Sequence, residues 1–148
     1  MFFIGLNMDY PDISGIMMFK LLTYSGLLFS YVPKSTFRST RTERNLQGLI
    51  DIHHIIPRQL RNHPTIVLSK YNIENGYNFM FLPTNVGVDK LNIHKNRPIH
   101  IRGHPRYNSY VASVLDQMFL EKQTSEYNMC KLNKKLRQSM RHLDIPWY

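Results

Sequence analysis

The chain has 148 residues, 43% of them hydrophobic and 12% aromatic, and it carries a formal net charge of +9 at neutral pH. This length predicts one domain, and this composition argues against a globally disordered chain. The single cysteine, Cys130, excludes a disulfide framework and any zinc module built on two or more cysteines.

The positive charge is concentrated in the middle of the chain. Residues 33–106 contain twelve Lys and Arg against four acidic residues, together with six of the seven histidines. Residues 1–32 have a small negative excess and residues 107–148 a small positive one. Because phosphates attract Lys and Arg, this distribution favours a nucleic-acid partner. A basic surface that serves solubility is the alternative.

An apolar segment, residues 13–32, precedes the basic region and is interrupted by Gly15, Lys20 and Gly26. It has the length of a membrane span, but a lysine near its centre is costly in a bilayer. The start of the chain also lacks the basic residues of a secretory signal. We therefore expect a segment that packs on the domain, with a membrane anchor or an oligomer contact as alternatives.

Residues 33–44 are polar, basic and rich in Ser and Thr, which predicts a loop or linker. With the apolar segment they form a predicted N-terminal region, residues 1–44. A core is predicted at residues 45–122 and a basic C-terminal helix at residues 123–148.

Two short strands are predicted inside the core. The β-favouring residues 49–52 lead into His53 and His54, and Pro57 ends this strand. A connection with some helical character follows at residues 58–64. Turn residues at 72–76 precede a second apolar strand at residues 79–82. We expect residues 84–103 to be irregular.

Two amphipathic helices are predicted after the core strands. The first begins at Pro105, ends near Lys122, and has apolar residues at spacings of three and four. The second extends from Glu126 to His142. The apolar positions of the two helices are Tyr107, Tyr110, Val111, Val114, Leu115, Met118, Phe119, Met129, Leu132, Leu136, Met140 and Leu143. The lysines and arginines of the second helix form either a solvent-exposed face or a phosphate-binding one.

The histidine pattern indicates a catalytic metal site. Adjacent side chains on a strand point to opposite faces, so His53 can bind a metal while His54 faces a substrate. His100 and His104 supply two further imidazoles, which completes the three protein ligands of a typical catalytic site. The ordinary pKa of His54 lies near neutrality, which suits a general base.

The remaining histidines point less clearly to a function. His63 and His142 are isolated and are interpreted as ordinary surface or core residues. His94 lies between the two histidine groups and is open as a ligand or a substrate contact.

Three sequence elements resemble the AHH nucleases of the HNH (His-Me finger, ββα-metal) endonuclease superfamily. They are DIHHIIPRQL at residues 51–60, NFMFLPTN at residues 78–85, and IHIRGHPRYNSYV at residues 99–111. The resemblance covers roughly residues 50–120 and rests on several elements in the same order. It implies an α+β fold, with a β-hairpin and a helix wrapped around one divalent metal ion.

The resemblance also implies roles for individual residues. His54 corresponds to the general base, and Asn78 to the asparagine that holds the loop of the base in register. Asn75 is a rival for Asn78, because it begins an Asn-Gly step, and Tyr107 either orients the site or packs in the core. The implied metal ligands are His53, His100 and His104.

Two departures from the family pattern affect these assignments. Ile52 precedes the histidine pair where the family has alanine. A long insert between Pro83 and His100 contains His94, which could replace His100 as a ligand. Gly103 and Pro105 argue against a shared helical turn, so we expect His100 on a loop and His104 near the start of the helix.

The sequence therefore predicts a metal-dependent endonuclease that hydrolyses DNA or RNA phosphodiesters, with DNA favoured. The metal is Mg, Mn or Zn, and no small-molecule cofactor is expected. The predicted contacts with the nucleic-acid backbone are Arg58, Arg61, Lys95, Arg97, Arg102 and Arg106. Alternatives are an inactive nucleic-acid-binding or packaging protein on a nuclease-like fold, and a membrane-associated protein with a structural zinc site.

The cellular setting follows only indirectly. The interrupted apolar segment argues against a membrane protein, and we expect an intracellular protein, cytoplasmic or nuclear, or one associated with a virion. A homodimer is compatible with the sequence.

Overall fold

The computed structural model describes residues 33–93, 98–101 and 103–148. All of them belong to one compact unit, Pro33–Tyr148. None of the helices in these ranges is long and apolar enough to cross a membrane. Several predictions fall outside the described residues: the apolar segment at 13–32, His94, and the phosphate contacts Lys95, Arg97 and Arg102.

The predicted strands are present and pair with each other. Strand β1 (Ile50–His54) and strand β2 (Phe79–Pro83) form a two-stranded antiparallel sheet. In its register, Ile50 lies opposite Pro83, and the histidine pair lies opposite Met80 and Phe79. The helices are α1 (Lys34–Glu43), α2 (Pro64–Ser69), α3 (Asn85–Lys90), α4 (Pro105–Leu120) and α5 (Glu126–His142). The architecture is a small α+β fold, as predicted.

The prediction of a loop or linker at residues 33–44 is wrong, because helix α1 occupies most of it. One residue explains the difference. Phe37 is buried, and its ring lies 5.6 Å from that of Phe79 and 5.2 Å from that of Phe81. Tertiary packing of this kind overrides a weak local propensity. Helix α1 is therefore attached to the sheet through an aromatic cluster.

The stretch predicted as irregular contains helix α3. Thr84 caps its start, because its hydroxyl oxygen accepts a hydrogen bond from the backbone N–H of Gly87 at 3.0 Å. The same hydroxyl donates to the carbonyl of Gly48 at 2.8 Å. A Cβ at position 87 would lie 1.8 Å from the carbonyl oxygen of Leu49, so only glycine fits there. This helix therefore packs directly on the segment that enters β1.

Helices α4 and α5 form the core with the residues that follow β1. Both were predicted, and their apolar faces are largely buried. The prediction that Phe119 belongs to the buried face of α4 is wrong, because this side chain is 43% exposed near the end of the helix. The α5 face includes one polar residue, Asn133. Its amide donates to the hydroxyl of Tyr71 at 2.9 Å and to the side-chain oxygen of Asn78 at 3.0 Å.

The chain turns back toward the core after α5. Leu143 adopts the left-handed conformation, with a φ of 55°. The backbone N–H groups of Leu143 and Asp144 donate to the carbonyls of Met140 and Ser139, which is the Schellman pattern of helix termination. A left-handed conformation costs a non-glycine residue roughly 1–2 kcal/mol. Burial of Ile145 and Trp147 beyond the turn offsets this cost.

Candidate active site

Three histidines from separate parts of the chain meet in one cluster. His53 lies on β1, His100 follows the insert, and His104 stands at the N-cap of α4. One ring nitrogen of each lies within 4.8 Å of those of the other two, close enough for all three to bind one metal ion. The ring centroids are 5.2–5.7 Å apart. The structure thus brings together the three predicted ligands.

Backbone interactions place the later two histidines. The N–H of His100 donates to the carbonyl of Pro83 at 2.7 Å, which joins the loop that carries His100 to the last residue of β2. Gly103 has a φ of 76°, a left-handed conformation that favours glycine, and Pro105 begins α4. The expected positions, His100 on a loop and His104 at the start of the helix, are confirmed.

The cluster contains buried ring nitrogens that have no hydrogen-bond partner among the described residues. They are Nε2 of His53 and both ring nitrogens of His104. An unsatisfied buried polar atom costs about 1–3 kcal/mol, so an arrangement of this kind calls for a compensating ligand. Three imidazoles with ring nitrogens this close together fit one divalent metal ion.

Burial also sets the protonation state of the cluster. It lowers the pKa of His53 well below the ordinary value, and the neighbouring histidines lower it further. The pKa of His104 falls to about 4, again mainly because of burial, with a contribution from His100. These two rings are therefore neutral near pH 7, and neutral imidazole is the form that binds metal.

Asp51 orients the third ring of the cluster. Its Oδ2 atom lies 3.0 Å from Nδ1 of His100, and its Oδ1 atom lies 3.3 Å from a guanidinium nitrogen of Arg41. A carboxylate on Nδ1 of His100 leaves the Nε2 atom available as a ligand. Sequence reasoning missed Asp51. Asp51 and His53 are two residues apart on one strand and therefore share a face, which was a usable signal that Asp51 lies near the cluster.

His54 occupies the other face of β1. Its Nε2 atom lies 3.2 Å from Oε1 of Glu74, and its ring packs edge-on against Phe79 at 4.7 Å. The same carboxylate forms ion pairs with Arg58 at 3.6 Å and Lys34 at 3.9 Å. Burial lowers the pKa of His54, and the hydrogen bond to Glu74 opposes that shift.

Glu74 was not predicted as a site residue. It lies in the turn that joins α2 to β2, and only the fold brings it to His54. The sequence offered a weak signal, an acidic residue inside the Asn-Gly turn of an otherwise basic region.

Asn78 and Asn75 occupy different positions. Asn78 is fully buried, and its side chain accepts from the N–H of Ile56 at 2.8 Å. Its amide donates to the carbonyls of Ile56 and Ile73, both at 2.9 Å. Asn75 instead caps the 3₁₀ turn Gly76–Asn78 by accepting from the N–H of Tyr77. Of the two rivals, Asn78 is the one that holds the chain just after the histidine pair.

Two aromatic residues enclose the histidine cluster. The hydroxyl of Tyr107 donates to the carbonyl of Ile55, and burial raises its pKa, which keeps the hydroxyl protonated. The indole of Trp147 packs against His104 at 4.3 Å and against His53 at 5.1 Å. Sequence reasoning left Tyr107 open and missed Trp147 entirely.

The described arginines among the predicted phosphate contacts are all exposed. They are Arg58, Arg61 and Arg106. Arg58 is tied to the site through its ion pair with Glu74. The isolated histidines are ordinary, as expected: His63 caps α2 and contacts Asp116, and His142 is exposed.

Comparison with known proteins adds the family to this geometry. A search of curated proteins and a search of solved structures each returned no match. A family profile matches residues 39–143, and that family is described as AHH, a nuclease family of the HNH/ENDO VII superfamily with conserved AHH. In this chain the Ala-His-His triplet reads Ile52-His53-His54. The matched segment contains the whole histidine cluster, and the chain belongs to the AHH nuclease family of the HNH/ENDO VII superfamily.

Proposed function

We propose that the chain is a metal-dependent endonuclease in which His53, His100 and His104 hold one divalent ion and His54 acts as the general base. A nuclease hydrolyses nucleic acid, and nucleases of this superfamily use a divalent metal. The observation that carries the proposal is the three-histidine cluster with buried, unpaired ring nitrogens. Strands β1 and β2 with helix α4 then constitute the ββα-metal core.

When bound, the divalent ion supplies positive charge for the phosphate oxygens of the substrate. The protein residues hold the ligand rings in place and in the neutral form. Asp51 fixes the His100 ring through Nδ1, which leaves Nε2 as the nitrogen that would bind the ion. The neutral state of His53 and His104 leaves their lone pairs free for the ion.

The position and the neutral form of His54 suit it to accept a proton. Because burial lowers its pKa, the ring is neutral near pH 7 and can accept a proton from an attacking water. The contact between Nε2 and Glu74 favours the tautomer with the proton on Nε2, which leaves Nδ1 as the accepting atom. After proton transfer, the Glu74 carboxylate stabilises the imidazolium, as the acidic member of a catalytic triad does.

Asn78 serves this base by holding its loop. Its side chain forms hydrogen bonds with both the N–H and the carbonyl of Ile56. The backbone carbonyl of Asn78 accepts a hydrogen bond from the N–H of Ile55 at 2.7 Å. The chain directly after His54 is thereby fixed to the turn before β2. Exposed Arg58, Arg61 and Arg106 would contact the phosphate backbone, and DNA is the favoured substrate. Lys95, Arg97 and Arg102 remain further candidates for such contacts.

The test is cleavage of plasmid DNA and of RNA with Mg²⁺, Mn²⁺ or Zn²⁺, each with and without EDTA. We expect metal-dependent cleavage that is lost on chelation and in His54→Ala. His142→Ala is the matched control, since this exposed histidine lies outside the cluster, and it should retain the wild-type rate. Salt-sensitive binding without any cleavage would instead identify an inactive nucleic-acid-binding protein. Undiminished cleavage in His54→Ala would refute the assigned base.

A further inference from the structure

We propose that Trp147 is a positioning residue of the metal site and that residues 143–147, which follow α5, form one wall of it. The proposal rests on the proposed function, because it concerns the ion that the histidine cluster would hold. Trp147 is only 2% exposed, so its side chain is packed against the rest of the protein.

The indole contacts two of the three proposed ligand rings directly. Its centroid lies 4.3 Å from that of His104 at an interplanar angle of 37°, and 5.1 Å from that of His53 at 68°. It also lies 5.1 Å from the ring of Tyr107. Packing of this kind limits the rotation of both imidazoles. The two rings are therefore held toward the common point that they share with His100.

The third ligand is held through the backbone. The indole N–H donates to the carbonyl of Ile99 at 3.0 Å, and Ile99 directly precedes His100. Trp147 thus connects the segment that carries His100 to the rings of His53 and His104. It is one side chain that constrains all three proposed ligands, two by ring packing and one by a hydrogen bond.

The segment is built to reach this position. The left-handed Leu143 ends α5 and reverses the chain, and the buried Ile145 anchors the segment to the core. The family match ends at residue 143, so Trp147 lies outside the region that the match covers. The wall is therefore inferred from the contacts of this chain and not from the family.

Two consequences follow for the metal site. The apolar indole face keeps water from one side of the cluster. Trp147 is also the single tryptophan of the chain. Its fluorescence therefore reports on this site alone, and an open-shell ion such as Co²⁺ held by these histidines should quench it.

The experiment measures Co²⁺ affinity by calorimetry in the full chain and in three variants. Trp147→Ala removes the rings and the N–H, Trp147→Phe keeps a ring but loses the N–H, and Tyr148→Ala changes an exposed neighbour as the control. We expect Trp147→Ala to weaken binding by about 10- to 100-fold, as outer partners of ligands do, and Trp147→Phe by less. Tyr148→Ala should bind as the wild type does. Circular dichroism of the metal-free variants establishes that each is folded.

A second measurement applies even if Trp147→Ala fails to fold. Titration of the wild type with Co²⁺ should quench the tryptophan emission with one-to-one stoichiometry, and His104→Ala should abolish this quenching. Binding of Co²⁺ to the wild type without a change in emission, or unchanged affinity in folded Trp147 variants, would overturn the role of Trp147 alone. Absence of any metal binding by the wild type would overturn the proposed metal site as well.

Discussion

The two faces of strand β1 differ in character although their histidines are adjacent. His53 is 6% exposed and lies among other imidazoles and the Trp147 indole. His54 lies beside a carboxylate that also pairs with Arg58 and Lys34. A strand alternates its side chains, so one dipeptide supplies two environments. One face suits the binding of an ion by neutral rings, and the other suits proton transfer supported by a charged partner.

The largest effect is expected for the loss of a proposed metal ligand, His53, from the first face of β1. His53→Ala should weaken divalent-metal binding by more than the roughly 10- to 100-fold that outer partners contribute, and cleavage should fall with it. The reason is that one of three proposed ligands is lost. Calorimetric titration and a cleavage assay measure the two effects, with His142→Ala as the control. Normal metal affinity in a folded His53→Ala protein would exclude this ligand.

One substitution should destabilise the segment that follows the histidine pair. Asn78→Ala removes the side chain that satisfies backbone groups of Ile56 and Ile73, and leaves these buried groups without a partner. We expect the free energy of unfolding to fall by on the order of 3 kcal/mol. Asn75→Ala, which mainly removes the cap of a short turn, should cost about 1 kcal/mol. Urea denaturation of both variants checks the order, and equal losses would contradict it.

Substitution of the two carboxylates, Asp51 and Glu74, should affect metal binding and cleavage separately. Asp51→Asn should lower metal affinity by about 10-fold or more, because His100 loses the acidic partner on Nδ1. Glu74→Gln should lower the cleavage rate by a similar factor at saturating metal, because His54 loses the carboxylate that supports its protonated form. Kinetics at several metal concentrations distinguish the effects. The comparison fails if both variants change only affinity or only rate.

The lowered pKa values of His53 and His104 predict that the stability of the protein depends on pH. In the folded, metal-free protein the pKa of His104 is about 4 and that of His53 is well below 6.5, whereas both titrate near 6.5 when unfolded. Below pH 6.5 the unfolded state therefore binds protons that the folded state does not. Stability should be full above pH 6.5 and fall as the pH decreases toward 4.

Chemical denaturation in EDTA at pH 5 and pH 7.5 measures this dependence. His104→Gln removes one of the two groups, so the difference in unfolding free energy between the two pH values should be smaller in this variant. An equal or larger difference would show that His104 does not contribute.

The features that could be predicted from the sequence are those that depend on residues close to one another in the chain. The alternation on β1 separates His53 from His54, and Pro105 with the spacing of Tyr107 and Val111 defines α4. These signals lie within a few residues of one another. The proximity of His100 and His104 to His53 was also expected from their spacing together with the family resemblance.

The sequence could not predict contacts that only the tertiary fold creates. Helix α1 depends on the burial of Phe37 against the sheet, in a stretch with few other apolar residues. Glu74 reaches His54 from a turn 20 positions away, and Trp147 reaches Ile99 from 48 positions away. Helix α3 is a different case, because Thr84 was a readable N-cap signal that the irregular composition of the insert obscured.

The most direct test of this account is metal affinity and DNA cleavage measured together in His54→Ala. His54 is proposed to transfer a proton and not to bind the metal. The Kd for the divalent ion should therefore stay within a factor of about two in this variant, while the cleavage rate should fall by roughly 10²- to 10⁴-fold. Loss of metal binding in this variant, or cleavage at the wild-type rate, would contradict the division of work between the two faces of β1.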